Sequence, residues 1–376
     1  MMAVTVILAL ALGACTGAGS GDAAFEKEVY KPAHARGFAI TGAEGRKSTV
    51  LTVYNPWQGA DSVAARLLIV RGGEDAPADF DGQVIEGDAR RLVVMSSTHI
   101  AMLDAIGRAN AVAGVSGLDY VSNPTVQARR DSVGDVGYEG NVDYELLASL
   151  DPDIVLLYAV SGRSAMEGKL TELGIPYVYL GDYLEESPLG KAEWLVAVSE
   201  IMGMRDRGVE VFSELEPRYN AIRQAVADAG VAPRKVMLNT PYGDQWVMPS
   251  NQSYAVRLLR DAGGRPVYDH DTGNKSQPVD LEQAYRLAMQ ADMWINVGQA
   301  NTLADVAAMC PKFVDTPVFK AGQVYNNNRR TTAAGGNDYY EGAIVHPDVV
   351  LADLVKIMHP GLLADTTATV YYRQLQ

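Results

Sequence analysis

The most regular pattern of apolar positions in this chain lies between Asp206 and Gly230. Val209, Phe212, Leu215, Tyr219, Ile222 and Val226 recur at steps of three and four, which sets them on one face of a helix. Gly230 stands where a C-terminal cap belongs, and Pro217, inside the pattern, predicts a kink or a split into two pieces. At 1.5 Å per residue such a helix spans roughly 35 Å, about the width of a small domain. On either side of it, short apolar runs alternate with amphipathic stretches, the pattern of repeated strand-then-helix units.

Before this helix, Phe38 to Ile40 and Val50 to Tyr54 read as a hairpin across the turn-rich GAEGRKS, and Leu67 to Val70 as a further strand. Leu92 to Met95 is a buried strand; Ser96 to Thr98 offer N-caps for a helix that stops at Gly107. Strands follow at Ala111 to Val115, Ile154 to Tyr158 and Pro176 to Leu180, with helices at Asn141 to Leu150, Ala165 to Leu173 and Pro188 to Met202. After it, Lys235 to Asn239, Asp292 to Val297 and Gly322 to Tyr325 are strands. PYGDQW and NNNRRTTAAGGNDYYEG are loops, and Ser253 to Ala262, Leu281 to Gln290 and His346 to Ile357 are helices. GNVDYELLASLDPDIVLLY in the first half and VDLEQAYRLAMQADMWINVG in the second echo each other. The expectation is an α/β protein: two Rossmann-like lobes bridged by a single long rigid helix, with a ligand cleft between the lobes. The expected divisions are a leader at 1–15, a flexible tether at 16–35, an N-terminal lobe with its hairpin at 36–205, the bridging helix at 206–230 and a C-terminal lobe at 231–376.

Composition narrows the function. A length of 376 residues suits two domains, and a net charge of −14 argues against a nucleic-acid partner. Ala3 to Leu12 is too short to span a bilayer and reads as the apolar core of a signal peptide. It runs into Leu12-Gly13-Ala14-Cys15, which looks like a bacterial lipobox with Cys15 as the lipidated residue; TGAGSGDAA then suits a tether. Met1-Met2 carries no Lys or Arg, so the natural start is expected to lie further upstream. With Cys15 acylated, Cys310 alone is left and reads as a small buried residue.

Ligands in open α/β sheets gather outside the carboxyl ends of strands. That rule collects His99, Tyr120, Tyr158, Arg163 and Tyr183 from the first half, and Tyr242, Trp246, Asn296, Arg329, Arg330, Tyr339 and Tyr340 from the second. Trp57 adds a further ring for stacking on a flat ligand. There are 19 tyrosines to 6 phenylalanines, many in these loops; a ring with a polar tip suits a cleft that buries a bulky ligand and still hydrogen-bonds it. Arginines would pair with an anionic ligand. No G-x-S-x-G elbow, H-E-x-x-H or P-loop is present, and the five histidines are scattered without ligand spacing. Neither an enzyme, nor a resident cofactor, nor a protein-bound metal is expected.

RLVVMSSTHIAMLDAIG, VDYELLASLDPDIVLLY, LLRDAGGRPVYD and FKAGQVYNNN resemble successive signatures of the iron-siderophore/cobalamin family of ABC-transporter substrate-binding proteins. The resemblance covers roughly Arg90 to Leu362, and the loop NNNRRTTAAGGNDYYEG resembles versions in Bacteroidetes lipoproteins of that family. It implies two α/β lobes on a rigid helix, and a monomeric lipoprotein of the periplasm or cell envelope. Its partners would be a metal chelate and an ABC permease dimer with its ATPase subunits. It also implies one permease-docking Glu on each lobe, matched by Glu145 and Glu282. Ferric siderophore is the first ligand expected, with cobalamin and heme as alternatives. A chelate-processing enzyme or a surface scavenger that serves a receptor would be the competing classes.

Overall fold

The structure, a computed structural model, describes residues 25–270, 275–364 and 367–376. The leader expected at 1–15, Cys15 included, lies outside the described residues.

Five short strands open the chain: β1 (Lys27–Tyr30), β2 (Phe38–Gly42), β3 (Thr49–Tyr54), β4 (Ala64–Val70) and β5 (Gln83–Glu86). They form one sheet in that order, antiparallel except for the β4–β5 pair. The expected hairpin is its centre, where Phe38 opposes Val53 and alternate residues of β2 are buried. β1 falls inside the stretch expected as tether. Its sequence KEVY is two charges and two half-buried residues at a sheet edge, too short to show a period.

The next sheet holds β6 (Leu92–Val94), β7 (Val112–Val115), β8 (Gly134–Asp135), β9 (Ile154–Leu157) and β10 (Tyr177–Tyr179), all parallel, in the order β10-β9-β6-β7-β8. Every residue of β6, β7 and β9 is buried, as a parallel sheet covered on both faces requires. Helices α1 (Ser97–Ala105), α2 (Pro124–Ala128), α3 (Tyr144–Ser149) and α4 (Met166–Glu172) fill the connections. Ser96 caps α1 as its position suggests, and Gly107 just beyond it takes a φ of 71°.

Two packed helices, α5 (Pro188–Ile201) and α6 (Arg205–Ala229), follow this sheet, and the bridging helix expected at 206–230 coincides with α6. α5 is buried on nearly every side, Glu193 and Glu200 included, so it is a core element and not the amphipathic helix expected. Those two carboxylates anchor the N-terminal sheet. Glu193 accepts the N–H groups of Ala33, His34 and Ala35 and the hydroxyl of Tyr30 at 2.7–2.8 Å, and Glu200 takes Thr49 and Arg71 at 2.6 Å. α6 runs unbroken through Pro217. The proline is exposed, so the one backbone bond it forfeits faces water. α6 lies close on α5 at Gly208, where a Cβ would stand 2.3 Å from the Ser199 hydroxyl. It is tied to the second lobe by Arg218 to Asp348 at 2.7 Å and by the Tyr219 hydroxyl to Asp261 at 2.6 Å.

The second lobe contains β11 (Arg234–Leu238), β12 (Gln245–Met248), α7 (Tyr254–Asp261), β13 (Gly264–Pro266), β14 (Gln277–Asp280), α8 (Leu281–Ala288), β15 (Met293–Ile295), α9 (Leu303–Met309), α10 (Pro317–Lys320), β16 (Val324–Asn326), α11 (Pro347–Met358) and β17 (Arg373–Gln374). Its main sheet runs β13-β11-β15-β16-β17, parallel but for β17, and β12 pairs separately with β14. No helix among the described residues is long and apolar enough to cross a membrane.

Candidate functional site

Three neighbouring strands of the second lobe end in asparagine. Asn239 follows β11, Asn296 follows β15, and Asn326 closes β16 ahead of Asn327 and Asn328. Asn239 and Asn296 hold φ of 67° and 61°, a left-handed backbone that Asn tolerates better than other side-chain-bearing residues. The indole N–H of Trp294 donates to the Asn239 carbonyl at 2.7 Å, and the Tyr372 hydroxyl donates to Asn296 Oδ1 at 2.9 Å. Among the described residues the Asn239 side-chain amide and the Asn296 NH2 group have no protein partner, while the Asn239 backbone N–H donates to the Ile295 carbonyl. These strand ends leave hydrogen-bonding groups facing the other lobe.

A cavity of about 250 Å3 lies between the lobes at this point. Thr98 and Lys191 line it from the first lobe; Asn239, Asn296, Asn327 and the rings of Tyr254 and Tyr339 line it from the second. A second cavity of about 520 Å3 adjoins it, between Ser97 and Tyr120 on one side and the 298–301 and 328–337 loops on the other. Tyr340, 62% exposed, lines both. Burial pushes the Tyr339 phenol up to about 12 and those of Tyr254 and Tyr372 well above their ordinary value, so all three remain neutral donors at neutral pH.

The wall between these cavities and solvent is a loop of the second lobe fastened to the first. Thr331 bridges to Asn337, and the Thr332 N–H donates to the Gly336 carbonyl at 2.8 Å, making a tight tip. Gly336 presses on the first lobe so closely that a Cβ would lie 2.2 Å from the Tyr120 carbonyl oxygen. Just after the tip, Glu341, 2% exposed, accepts the Ser122 N–H at 2.8 Å. Burial raises its carboxyl to about 7, with a smaller push from Asp338 and opposition from the Ser122 hydrogen bond. At another lobe contact Arg257 meets Glu186 at 2.6 Å, beside a third cavity of about 260 Å3 that Arg36 and Tyr54 of the N-terminal segment also line.

Of the residues expected to bind ligand, Tyr120, Asn296, Tyr339 and Tyr340 come together at the two joined cavities. The others do not line them. His99 is fully buried, its ring 3.7 Å from Asp182; a helix turns about 100° per residue, so its neighbours Ser97 and Thr98 face the cleft and it faces the core. Trp246 is also fully buried, because the expected loop PYGDQW runs into β12, whose alternation turns Trp246 inward with its N–H on the Leu238 carbonyl at 2.8 Å. Trp57 packs edge-on against Tyr179, and the Tyr183 hydroxyl donates to the Ala159 carbonyl at 2.5 Å. Tyr242 projects 89% exposed from a turn, and Tyr158 is 41% exposed. The arginines also fall outside. Arg163 pairs with Glu167 along α4, Arg330 pairs with Asp338 at 3.0 Å, and Arg329 is exposed. Lys191, Asn239, Tyr254 and Asn327 were missed. The run of asparagines after strands was the available signal; Lys191 and Tyr254 sit inside helices, where the loop rule does not look.

Glu145 and Glu282 are exposed in the first turns of α3 and α8, capped by Asp143 and Asp280; Glu282 also pairs with Arg286 at 2.6 Å. A helix that precedes a parallel strand runs antiparallel to it, so both first turns lie toward the carboxyl edges of the two sheets, the side of the cleft. Cys310 is buried, its thiol raised to about 11 by that burial. Among the described residues no three His, Cys, Asp or Glu side chains gather to hold a metal ion.

Residues 92–330 match the family model described as periplasmic binding protein. An uncharacterized lipoprotein of Methanocaldococcus jannaschii is 26% identical over 332 residues, 84% of this chain and 82% of its own. Among solved structures, a periplasmic heme-binding protein from Pseudomonas aeruginosa has a TM-score of 0.59 at 17% identity, covering 77% of this chain and 98% of its own. An ABC-type Fe3+-hydroxamate transport system protein from Saccharomonospora viridis has a TM-score of 0.54 at 17% identity, covering 73% of this chain and 94% of its own. At these identities the solved structures share the fold. Strands β1 to β5 precede the matched residues.

Proposed function

The chain belongs to the periplasmic binding protein family, and we propose that it captures a metal chelate between its lobes and delivers it to an ABC permease. The observation that carries this reading is the pair of adjoining cavities at the carboxyl edges of two parallel sheets, walled by phenols and amides from both lobes. The fold is shared with proteins named for heme and Fe3+-hydroxamate, and ferric siderophore is our first ligand, with cobalamin and heme as the other readings. The family binds solutes rather than transforming them, in keeping with a site built for hydrogen bonding.

The chain works in the cell envelope. Its archaeal relative carries a lipoprotein name, and the leader ending at Cys15 fits a lipid anchor on this chain too. Glu145 and Glu282 dock on the permease: two exposed carboxylates, one per lobe on the cleft side, suit a two-fold cationic surface. The protein acts as a monomer, with the permease dimer and its ATPase subunits as partners.

The test is chelate uptake by cells carrying the double variant Glu145→Ala, Glu282→Ala. Uptake collapses while the purified variant binds the chelate as wild type does. Full uptake by the double variant rules out this docking mode.

A further inference from the structure

The two neighbouring cavities, which share Tyr340 in their linings, are almost free of charge in a chain whose net charge is −14. Among the described residues that line them, Lys191 is the one charged side chain, and its ammonium lies 5.2 Å from the centre of the Tyr254 ring. The larger cavity has no charged lining at all: it offers serine, threonine, amide and tyrosine groups and backbone. Of the cations near it, Arg329 is exposed outside the lining of both cavities and two others are engaged within the protein. Arg330 is held by Asp338, and Arg373 donates to Oδ1 of Asn328 at 2.9 Å and of Asn301 at 2.7 Å, which orients those amides without entering either cavity. The phenols stay neutral, as described above.

Moving a multiply charged anion out of water is costly unless opposite charge meets it, and one ammonium cannot balance several negative charges. The field of an acidic protein adds to that cost. A neutral ligand rich in carbonyl, hydroxyl or amide groups meets no such barrier, and the hydroxyls and amides of the lining can hydrogen-bond it. We infer that the cleft selects chelates that carry no net charge and present many hydrogen-bonding groups, and that it rejects polyanionic chelates of the same metal. This rests on the chelate reading and narrows it: a ferric hydroxamate or an amide-bearing corrinoid fits, and a ferric catecholate does not.

The experiment is a calorimetric titration of the purified chain with two matched pairs. One is a neutral ferric trihydroxamate against a trianionic ferric tricatecholate; the other is cobalamin against cobalamin with its peripheral amides hydrolysed to carboxylates. At least one neutral member binds, at least about 100-fold more tightly than its anionic counterpart. Gln299→Arg, an exposed substitution in the larger cavity, narrows that gap by strengthening binding of the anion. An anionic member that binds as tightly as its neutral partner overturns the charge selection while leaving chelate capture standing. An unchanged gap in Gln299→Arg overturns the assignment of the selection to this cavity. Binding of heme, with its two carboxylates, by a chain that takes none of the four overturns the selection alone; no binding by heme or by any of the four overturns chelate capture with it.

Discussion

Asn296 does two jobs with one side chain. Its left-handed backbone turns the chain at the end of β15, and its Oδ1 receives the Tyr372 hydroxyl while the NH2 faces the cleft. Glycine keeps the backbone and loses the amide; alanine loses both. Asn296→Ala is therefore expected to cost about 1–3 kcal/mol in denaturant unfolding, and Asn296→Gly less, with chelate affinity falling about tenfold or more in both. Glu341 gives a pH signature. Burial moves its carboxyl from 4.5 to about 7, so between those values the folded chain holds a proton that the unfolded chain has released. Stability from this group is thus greatest at low pH, falls as pH rises through that window and is flat above it. Glu341→Gln removes the slope. Unfolding curves at several pH values should show wild type losing on the order of 2–3 kcal/mol relative to the variant between about pH 4.5 and 7.5.

At the scale of elements, the close crossing of α5 and α6 depends on Gly208. A methyl group there would collide with the Ser199 side chain, whose hydroxyl is already held on the Leu195 carbonyl at 2.6 Å. Gly208→Ala should cost about 1–3 kcal/mol by thermal or denaturant melting, even though alanine favours helix over glycine by up to about 1 kcal/mol. The elements themselves were largely legible. Strands buried on both faces, such as β9 with its run IVLL, announce themselves by continuous apolar residues, and α6 by its period and the Gly230 cap. Pro217 does not split α6, because the proline sits on the exposed side of the helix, where the bond it forfeits faces water. β1 and β12 were hidden by length: four residues carry too little period to separate strand from loop. That hid the fate of Trp246, whose burial follows from β12 alone.

Among the described residues the molecule holds three five-stranded sheets and one two-stranded sheet, and α5 packs against α6, α1 and β2. Buried carboxylates at Glu193 and Glu200 hold the N-terminal sheet, and lobe-to-lobe contacts at Glu341 and Arg257 fasten the cleft on either side of its cavities. That a cleft lies between two α/β lobes could be read from the alternation of strands and helices. Which side chains face it could not, because the facing is set by helix rotation at His99, by strand pleat at Trp246 and by local ion pairs at Arg163 and Arg330. Arginines in a loop sequence likewise say nothing about the partner each one finds: Arg163 and Arg330 are paired within the protein, and neither lines the cavities. Capture of a metal chelate in this cleft is the function we propose. The most direct measurement is the optical spectrum of the chain purified from its native host, followed by titration with ferric siderophores, cobalamin and heme. The expected result is a chromophore that loads one to one, and about tenfold or more weakly in Asn296→Ala; a colourless protein that ignores all three chelates would rule out chelate capture.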